Sequence, residues 1–579
     1  MARFEHKKLA ELIERLDAVP SDPEQYNRWI GAESSIELLR TNAYDDELII
    51  YAGGRHSFVH SVVVSNSQLE PIDVEDLHHW SGNPYMAHAA SYVYGGGRDD
   101  VWIERDSHLG AKSLNDAVQL VYARQFEGLT GDDATYFELS QDYAHLSGIH
   151  WRSEHKAYCR FDENGDFDPI VSMTRRSGST DVSLITFRSA DLDLFLAASD
   201  ASLVRMFDFT RFRPGGFSSW PRGAETKNEA DATFFYRSKV IPGYAGYVRG
   251  VQILRPREPR ERIFARYKGE LDDEQKQYAS FITHDWRNNR VIEVSTDPKA
   301  TTNYFAATEG KAFELSPAFF RPEVLLKYRA DRDKYTVTER DISCRGAWYL
   351  RGFDVNDAGQ VHAYICDLRN LPYQEQLYWR SYNEEPKTSI SERALTNDFK
   401  GEWDLRPNPL HDIVTTARGW RDNPRSWWAL REDKLLERLL PPHSGSRDDW
   451  AESFMDLSKL VVEGFQTKAI REKLSACGAP FEERDQSIAL IERLAAFVLQ
   501  LPQPQRLEGL RTVQLIRSKV KGHAGSSQAS QISQQALNDH ESYAAHFLFV
   551  AKQVAEEMDR IEQLLDRPVV PLAATEADG

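Results

Sequence analysis

The hydrophobic periodicity of this chain changes along its length, and that change constrains the fold more than any other feature of the sequence. From about residue 35 to 295, apolar residues occur in short runs separated by turn residues, as in Glu47–Tyr51 and Phe58–Val64. Such runs are typical of β-strands. From about residue 448 to 565 they recur every three to four positions, which is the period of amphipathic helices. The sequence therefore predicts a multidomain α+β chain, β-rich in its N-terminal and middle regions and all-α at its C-terminal end.

The length of the chain also predicts more than one domain, because 579 residues exceed what a single hydrophobic core usually supports. The segment Leu439–Ser446 is rich in Pro, Ser and Gly and marks the clearest boundary. We expect four parts: a mainly β (α+β) N-terminal region at 1–298, a mixed α/β middle domain at 299–440, a helical bundle at 447–566 and a disordered tail at 567–579.

Several local patterns refine this division. Residues 4–17 predict a leading amphipathic helix, and residues 191–198 predict a helix inserted among the strands. Residues 157–161 and 170–173 flank an Asn-Gly turn and predict a β-hairpin. The aromatic stretch 371–383 is consistent with a base- or ligand-stacking surface, but core packing is the favoured interpretation.

The C-terminal region contains four helical patterns, at 448–476, 483–501, 506–522 and 534–565. Four helices over this length predict a bundle. The third pattern has an apolar stripe formed by Leu507, Leu510, Val513 and Ile516.

The most informative residues for function lie at the end of this third pattern. Arg517 and His523 are separated by five residues, and Gly522 and Gly525 flank the histidine. Because glycines commonly end helices, the histidine can fold back toward the arginine. A guanidinium binds phosphate oxygens and an imidazole transfers protons near neutral pH, so the pair suits chemistry on a phosphodiester.

These residues resemble the HEPN superfamily, whose small all-α domains have an Arg-x(4–6)-His motif near the end of a helix. Ser518 stands where active members usually have Asn, Asp or His. The resemblance implies a metal-independent endoribonuclease in which two protomers dimerise to form a composite site. Attack by the RNA 2′-hydroxyl would give 2′,3′-cyclic phosphate ends. Similar proteins act as toxins or in anti-phage abortive infection, which implies an N-terminal region that senses or restrains the nuclease and a phage-derived trigger or an antitoxin.

The expected partners are RNA, with tRNA among the candidates, and further copies of the chain, in a homodimer or higher homo-oligomer through the C-terminal bundle. Neither a metal nor a cofactor is expected. The residues expected to form the site are Arg517 and His523 as catalytic groups, with Ser518, Lys519, Lys521 and Arg511 as RNA-binding groups.

The charge of the chain limits where RNA can bind. A net charge of -18 argues against a protein that coats polyanions, because phosphate neutralisation carries nucleic-acid affinity. Any RNA site must therefore be local, and the basic residues between Arg506 and His523 supply a candidate. These charges are equally compatible with a solvated helix face. The alternative function is therefore a non-catalytic HEPN-like protein that dimerises or binds a ligand as a scaffold or regulator.

Other sites were weighed against this interpretation. The glycine-containing stretches Tyr94–Arg98 and Glu309–Ala312 do not complete a phosphate-binding loop. His540 and His546 are six residues apart instead of four, so they do not match a helical zinc site. A small-ligand enzyme in the aromatic middle region remains a third option.

The four cysteines are scattered and predict reduced residues rather than disulfides. No apolar stretch approaches the length of a membrane span, so we expect no membrane association and a cytoplasmic location.

Overall fold

A computed structural model describes residues 5–69, 90–95, 98–105, 117–125, 135–175, 182–212, 225–270, 276–306, 308–403, 406–443, 445–521 and 527–567. The chain divides into two compact units: unit 1 comprises residues 1–162 and 166–276, and unit 2 comprises residues 163–165 and 277–579. The predicted middle and helical domains both fall in unit 2, so their separation remains a prediction. The tail beyond Arg567 lies outside the described residues.

Unit 1 is built on a large antiparallel sheet. Its described helices are α1 His6–Asp17, α2 Pro23–Ile30, α3 Glu33–Asn42, α4 Asn66–Leu69, α5 Gln141–Leu146, α6 Ser189–Ala198 and α7 Arg260–Tyr267. Its described strands are β1 Glu47–Gly53, β2 Phe58–Ser65, β3 Ala90–Gly95, β4 Arg98–Arg105, β5 Val118–Gln119, β6 Val121–Gln125, β7 Thr135–Leu139, β8 His150–Arg152, β9 Ala157–Phe161, β10 Phe167–Thr174, β11 Ser183–Arg188, β12 Ala201–Phe212, β13 Glu225–Ala230, β14 Phe234–Ile241 and β15 Ala245–Leu254. The strand order is β13-β14-β15-β12-β2-β1-β11-β10-β9-β8, with β5 beside β2.

Strand β1 shows why this sheet is covered on both faces. Leu48 and Ile50 belong to one apolar core, which includes residues of α5 and α6. Ile49 and Ala52 belong to another core, which includes residues of α1 and α3. Successive side chains of a strand point to opposite faces, so a continuous apolar run places side chains in the core on each face of the sheet. The leading helix, the inserted helix and the hairpin predicted from the sequence are confirmed by α1, α6 and the β9–β10 pair.

The first part of unit 2 is a smaller mixed region. Its described strands are β16 Ser280–Asp285, β17 Arg290–Ser295, β18 Thr301–Thr302, β19 Ala312–Phe313, β20 Pro317–Phe320, β21 Tyr335–Val337, β22 Ile342–Cys344, β23 Trp348–Leu350, β24 Asp354–Val355, β25 Val361–Tyr364 and β26 Asn383–Glu384. Its described helices are α8 Leu326–Ala330, α9 Ile365–Leu368, α10 Tyr373–Arg380 and α11 Glu392–Ala394. The sheet order is β17-β16-β20-β25-β24, with β26 beside β20. Trp379 of the aromatic stretch is fully buried, and Tyr378 and Tyr382 pack against the same core, which confirms the packing interpretation.

The second part of unit 2 is helical. Its described helices are α12 Pro409–Asp422, α13 Leu435–Arg438, α14 Arg447–Leu460, α15 Thr467–Cys477, α16 Ser487–Val498, α17 Glu508–Ile516, α18 Ser527–His540 and α19 Tyr543–Leu565. A 3-10 turn spans Val462–Gly464, and a π-helical turn spans Arg517–Lys521. One hydrophobic core runs from Leu410 to Leu565, so the helical core begins at α12, before the predicted start at 447.

The prediction of one helix over 448–476 is wrong, because the 3-10 turn separates α14 from α15. The cause is a contact with a distant residue: a Cβ on Gly464 would lie 2.3 Å from Nε1 of Trp428. The same indole nitrogen donates a hydrogen bond to the carbonyl of Val461, at 3.1 Å. Packing against Trp428 therefore accompanies a break in the helix that the periodicity does not reveal.

The prediction of one helix over 534–565 is also wrong. Glu541 adopts a φ of 65°, which ends α18, and the Ser542 hydroxyl accepts a hydrogen bond from the Ala545 N–H at the start of α19. A residue in the left-handed backbone conformation ends one helix, and the serine N-cap that follows it begins the next. The structure confirms C-terminal helices in the described residues, while the HEPN-like form of the bundle remains a prediction.

Candidate functional site

Helix α17 leads to the residues singled out by the sequence, and two buried carboxylates fix its start. Glu557 accepts hydrogen bonds from the N–H groups of Gly509 and Leu510, both at 2.9 Å. Glu492 accepts one from the N–H of Leu507, at 2.8 Å. The first N–H groups of a helix have no partner within the helix, and its N-terminus attracts negative charge. The two glutamates, each 3% exposed, therefore hold the beginning of α17 in place.

The apolar stripe predicted for this helix is confirmed. Leu507, Leu510, Val513 and Ile516 are all buried. Val520, four residues after Ile516, is also buried, and the π-helical turn that contains it packs against α14 and α18. Single π turns often occur at functional sites. The turn keeps an apolar residue in the core while Arg517 and Ser518 remain outside it.

Arg517 makes an ion pair with Glu463, a residue of the 3-10 turn. Its Nη2 lies 2.6 Å from Oε1 of Glu463, and the two side chains are 35% and 10% exposed. The second carboxylate oxygen, Oε2, contacts Nη1 of Arg431. Arg431 also donates through Nε to the backbone carbonyl of Glu463, at 3.2 Å. One nearly buried carboxylate therefore lies between two guanidinium groups.

These residues line an open groove of about 890 Å³. Five arginines contribute to it: Arg431, Arg484, Arg506, Arg511 and Arg517. Three carboxylates also line it, those of Glu463, Asp485 and Glu508. Two carboxylates outside the lining reduce the positive charge further, since Arg484 lies 2.8 Å from Glu482 and Arg511 pairs with Glu492. The groove therefore offers many guanidinium donors but is close to electrically balanced.

The structure brings three of the predicted site residues together in this groove: Arg511, Arg517 and Ser518. Ser518 is exposed and its hydroxyl donates to the carbonyl of Leu515, at 3.1 Å. Arg511 is held by Glu492, with Nε 2.7 Å from Oε1, and this hydrogen bond raises the pKa of the Arg511 guanidinium. Arg511 is therefore firmly paired within the protein.

The other predicted site residues are not part of this arrangement. Lys519 is half-buried and lies outside the groove lining. Lys521 is described only as the last residue of the π-helical turn, and His523 lies outside the described residues. The pairing of Arg517 with His523 therefore remains a prediction.

Sequence reasoning missed Arg431, Glu463 and Arg484 as members of the site. They come from three separate segments, and only tertiary packing brings them to α17. A charged residue in a loop or a 3-10 turn has no periodicity that could have indicated this role.

The two histidines considered for a metal site have a packing role. Nε1 of Trp450 donates to Nδ1 of His546, at 3.2 Å, and the rings of His540 and His546 are 4.9 Å apart. The pKa of His546 is lowered to about 4, mainly by burial and in smaller part by the nearby His540. In the described part of the chain, no three His, Cys, Asp or Glu residues are grouped so that they could hold a metal ion.

No disulfide joins the described cysteines: Cys159 and Cys344 are buried, and Cys366 and Cys477 are half-buried. Every helix within the described ranges is too short or too polar to cross a membrane.

Comparison with known proteins finds no protein-family model, no curated protein and no solved structure that matches the chain.

Proposed function

We propose that the groove beside α17 binds RNA and that the chain is a metal-independent endoribonuclease of the HEPN type. The observation that carries this proposal is the position of Arg517, half-exposed on the wall of a groove lined by four further arginines. A guanidinium has five N–H donors in a planar fork that matches phosphate oxygens. One ion pair with Glu463 does not exhaust these donors.

The reaction follows from the two expected catalytic groups. The 2′-hydroxyl oxygen attacks the adjacent phosphorus, the bond from phosphorus to the 5′ oxygen breaks, and a 2′,3′-cyclic phosphate remains. One imidazole takes the proton from the 2′-hydroxyl and a second donates a proton to the leaving 5′ oxygen. Arg517 stabilises the charge that develops on the phosphate oxygens. Because one chain supplies a single His523, the proposal includes a homodimer through the helical region.

The remaining parts of the proposal concern placement and control. Ser518, Lys519 and Lys521 place the RNA strand, and Arg511 contributes from a fixed position. The N-terminal region senses a trigger or restrains the nuclease. The external regulator is a phage-derived trigger or an antitoxin. The site of action is the cytoplasm.

The test is cleavage of total RNA and of purified tRNA by the full chain in EDTA. We expect cleavage that yields 2′,3′-cyclic ends and that falls at least about 100-fold in Arg517→Ala and in His523→Ala. His411→Ala is a matched control, because His411 is an exposed residue of α12 outside the groove. Equal cleavage by wild type and both site variants would assign the activity to a contaminant and refute the proposal.

A second candidate function is a non-catalytic protein whose helical region dimerises or binds a ligand. The specific observation in its favour is that Arg511 and Arg517 are already paired with the nearly buried carboxylates of Glu492 and Glu463. RNA binding or dimerisation without cleavage, in the presence and absence of phage lysate, would favour this alternative.

A further inference from the structure

The arrangement of Arg431, Glu463 and Arg517 has the geometry of an occupied anion site. Each oxygen of the Glu463 carboxylate faces a different guanidinium group, Oε1 that of Arg517 and Oε2 that of Arg431. The carboxylate side chain is only 10% exposed, whereas the Arg431 side chain is 59% exposed and reaches it from the groove. Two cations from distant segments thus converge on one bidentate anion at the groove wall.

A phosphodiester can take the place of this carboxylate, because both groups present a pair of charged oxygens that guanidinium groups bind in the same way. We infer that Arg431 and Arg517 form a phosphodiester subsite for single-stranded RNA, and that Glu463 occupies this subsite in the free protein as an internal competitor. The inference rests on the proposed function for the identity of the polyanion. It adds Arg431 as a phosphate-binding residue and Glu463 as a residue that limits affinity.

The simpler interpretation is that the three residues only stabilise the fold. Two observations oppose it. Ion pairs with partners as exposed as Arg431 and Arg517 contribute little to stability, roughly 0 to 1 kcal/mol each. The 3-10 turn is also held without them, because Gly464 packs against Trp428 and the Gly464 carbonyl accepts a hydrogen bond from the Ala429 N–H, at 3.0 Å.

The competition has a measurable consequence. Removing the Glu463 charge leaves both arginines available to phosphate, and each phosphate contact of a single strand steepens the salt dependence of log K by about 0.7. Glu463→Gln should therefore bind a single strand roughly tenfold more tightly at about 0.1 M salt, with a slope steeper by about 1.4.

The experiment measures fluorescence anisotropy of a 2′-O-methyl RNA 20-mer, which lacks the attacking hydroxyl, with the full chain at several salt concentrations. Glu556→Gln is the matched control, because it also removes one carboxylate but Glu556 is an exposed residue of α19 outside the groove lining. We expect this control to leave the slope unchanged. The double variant Arg431→Gln, Glu463→Gln should lose about half of the increase in the salt dependence of log K. Circular dichroism checks that each variant is folded.

The outcomes separate this inference from the ribonuclease proposal. Tighter, steeper binding by Glu463→Gln supports the inference even if natural RNA is never cleaved. Equal affinity and slope for Glu463→Gln and Glu556→Gln overturn it, whether or not wild type cleaves RNA. Absence of binding by wild type and by Glu463→Gln also overturns it.

Discussion

The two ends of α17 both meet a nearly buried glutamate, but the two glutamates have different partners. At the N-terminal end, Glu557 accepts hydrogen bonds from two backbone N–H groups inside the core. At the C-terminal end, Glu463 contacts the guanidinium groups of Arg431 and Arg517, which are partly exposed to solvent. Backbone donors cannot move without unwinding the helix, whereas guanidinium groups on flexible side chains can exchange partners.

The difference predicts that Glu557 has a structural role and that the partners of Glu463 can exchange it for another anion. A buried carboxylate that satisfies helix N–H groups is part of the architecture. A carboxylate that only neutralises solvent-accessible arginines is replaceable by another anion. Four measurements can break or sharpen this comparison.

The largest expected effect is at the N-terminal end. Glu557→Ala leaves the N–H groups of Gly509 and Leu510 buried without an acceptor, so we expect the free energy of unfolding to fall by about 3 kcal/mol. Urea unfolding of the helical region, followed by tryptophan fluorescence, measures this. Glu556→Ala, an exposed neighbour on α19, should change it by less than about 0.5 kcal/mol. Similar values for both variants would contradict the anchoring role.

A smaller effect is expected where the 3-10 turn supports Glu463. Gly464→Ala places a Cβ against Trp428, so we expect a loss of about 2 kcal/mol in the free energy of unfolding. Gly419→Ala is the matched control, because Gly419 lies within α12 with no atom within 4 Å of an added Cβ. The control should stabilise the chain by about 0.5 kcal/mol. A neutral Gly464→Ala would show that the contact with Trp428 does not hold this turn.

Two titratable residues of α19, His546 and Glu557, should respond oppositely to acid. The pKa of His546, which contacts Trp450 of α14, is lowered by burial to about 4 from the ordinary 6.5. The folded state then binds fewer protons than the unfolded state in this range, so stability is lost as the pH falls from 6.5 to 4. Burial raises the pKa of Glu557, so protonation of this residue favours the folded state as the pH falls.

We expect His546 to account for a loss of about 1 to 2 kcal/mol between pH 6.5 and 4, after allowance for solvent screening. Urea titrations at several pH values should show a shallower loss in His546→Gln than in wild type. His411→Gln, at an exposed position of α12, should leave the wild-type slope unchanged. If the free energy of unfolding falls with pH as steeply in His546→Gln as in wild type, another group causes the acid sensitivity.

The smallest expected effect on stability is at Glu463 itself. Glu463→Gln should change the free energy of unfolding by less than about 1 kcal/mol, because its partners are partly exposed. The same urea titration measures it beside Glu557→Ala. A loss as large as the roughly 3 kcal/mol expected of Glu557→Ala would make Glu463 an architectural residue and remove the contrast between the two ends.

The sequence predicted where strands and helices would dominate because burial repeats at the period of each element. The stripe from Leu507 to Ile516, the helix α6 and the β9–β10 hairpin all follow from local pattern. The breaks at Gly464 and Glu541 do not, since a glycine or a glutamate within an apolar periodic stretch is compatible with a continuous helix. At Gly464 the deciding contact comes from Trp428, which lies outside the predicted helix altogether.

The candidate site divides in the same way. The sequence by itself determined that a cation, Arg517, follows a buried helical stripe, because hydrophobic spacing places it next to the core. Only the tertiary structure decided that Arg431 and Glu463 meet Arg517 in an open groove, because ion pairs between distant segments depend on how the helices pack. It also decided that Arg511 is held by Glu492, since a buried carboxylate on a neighbouring helix leaves no mark in the local sequence.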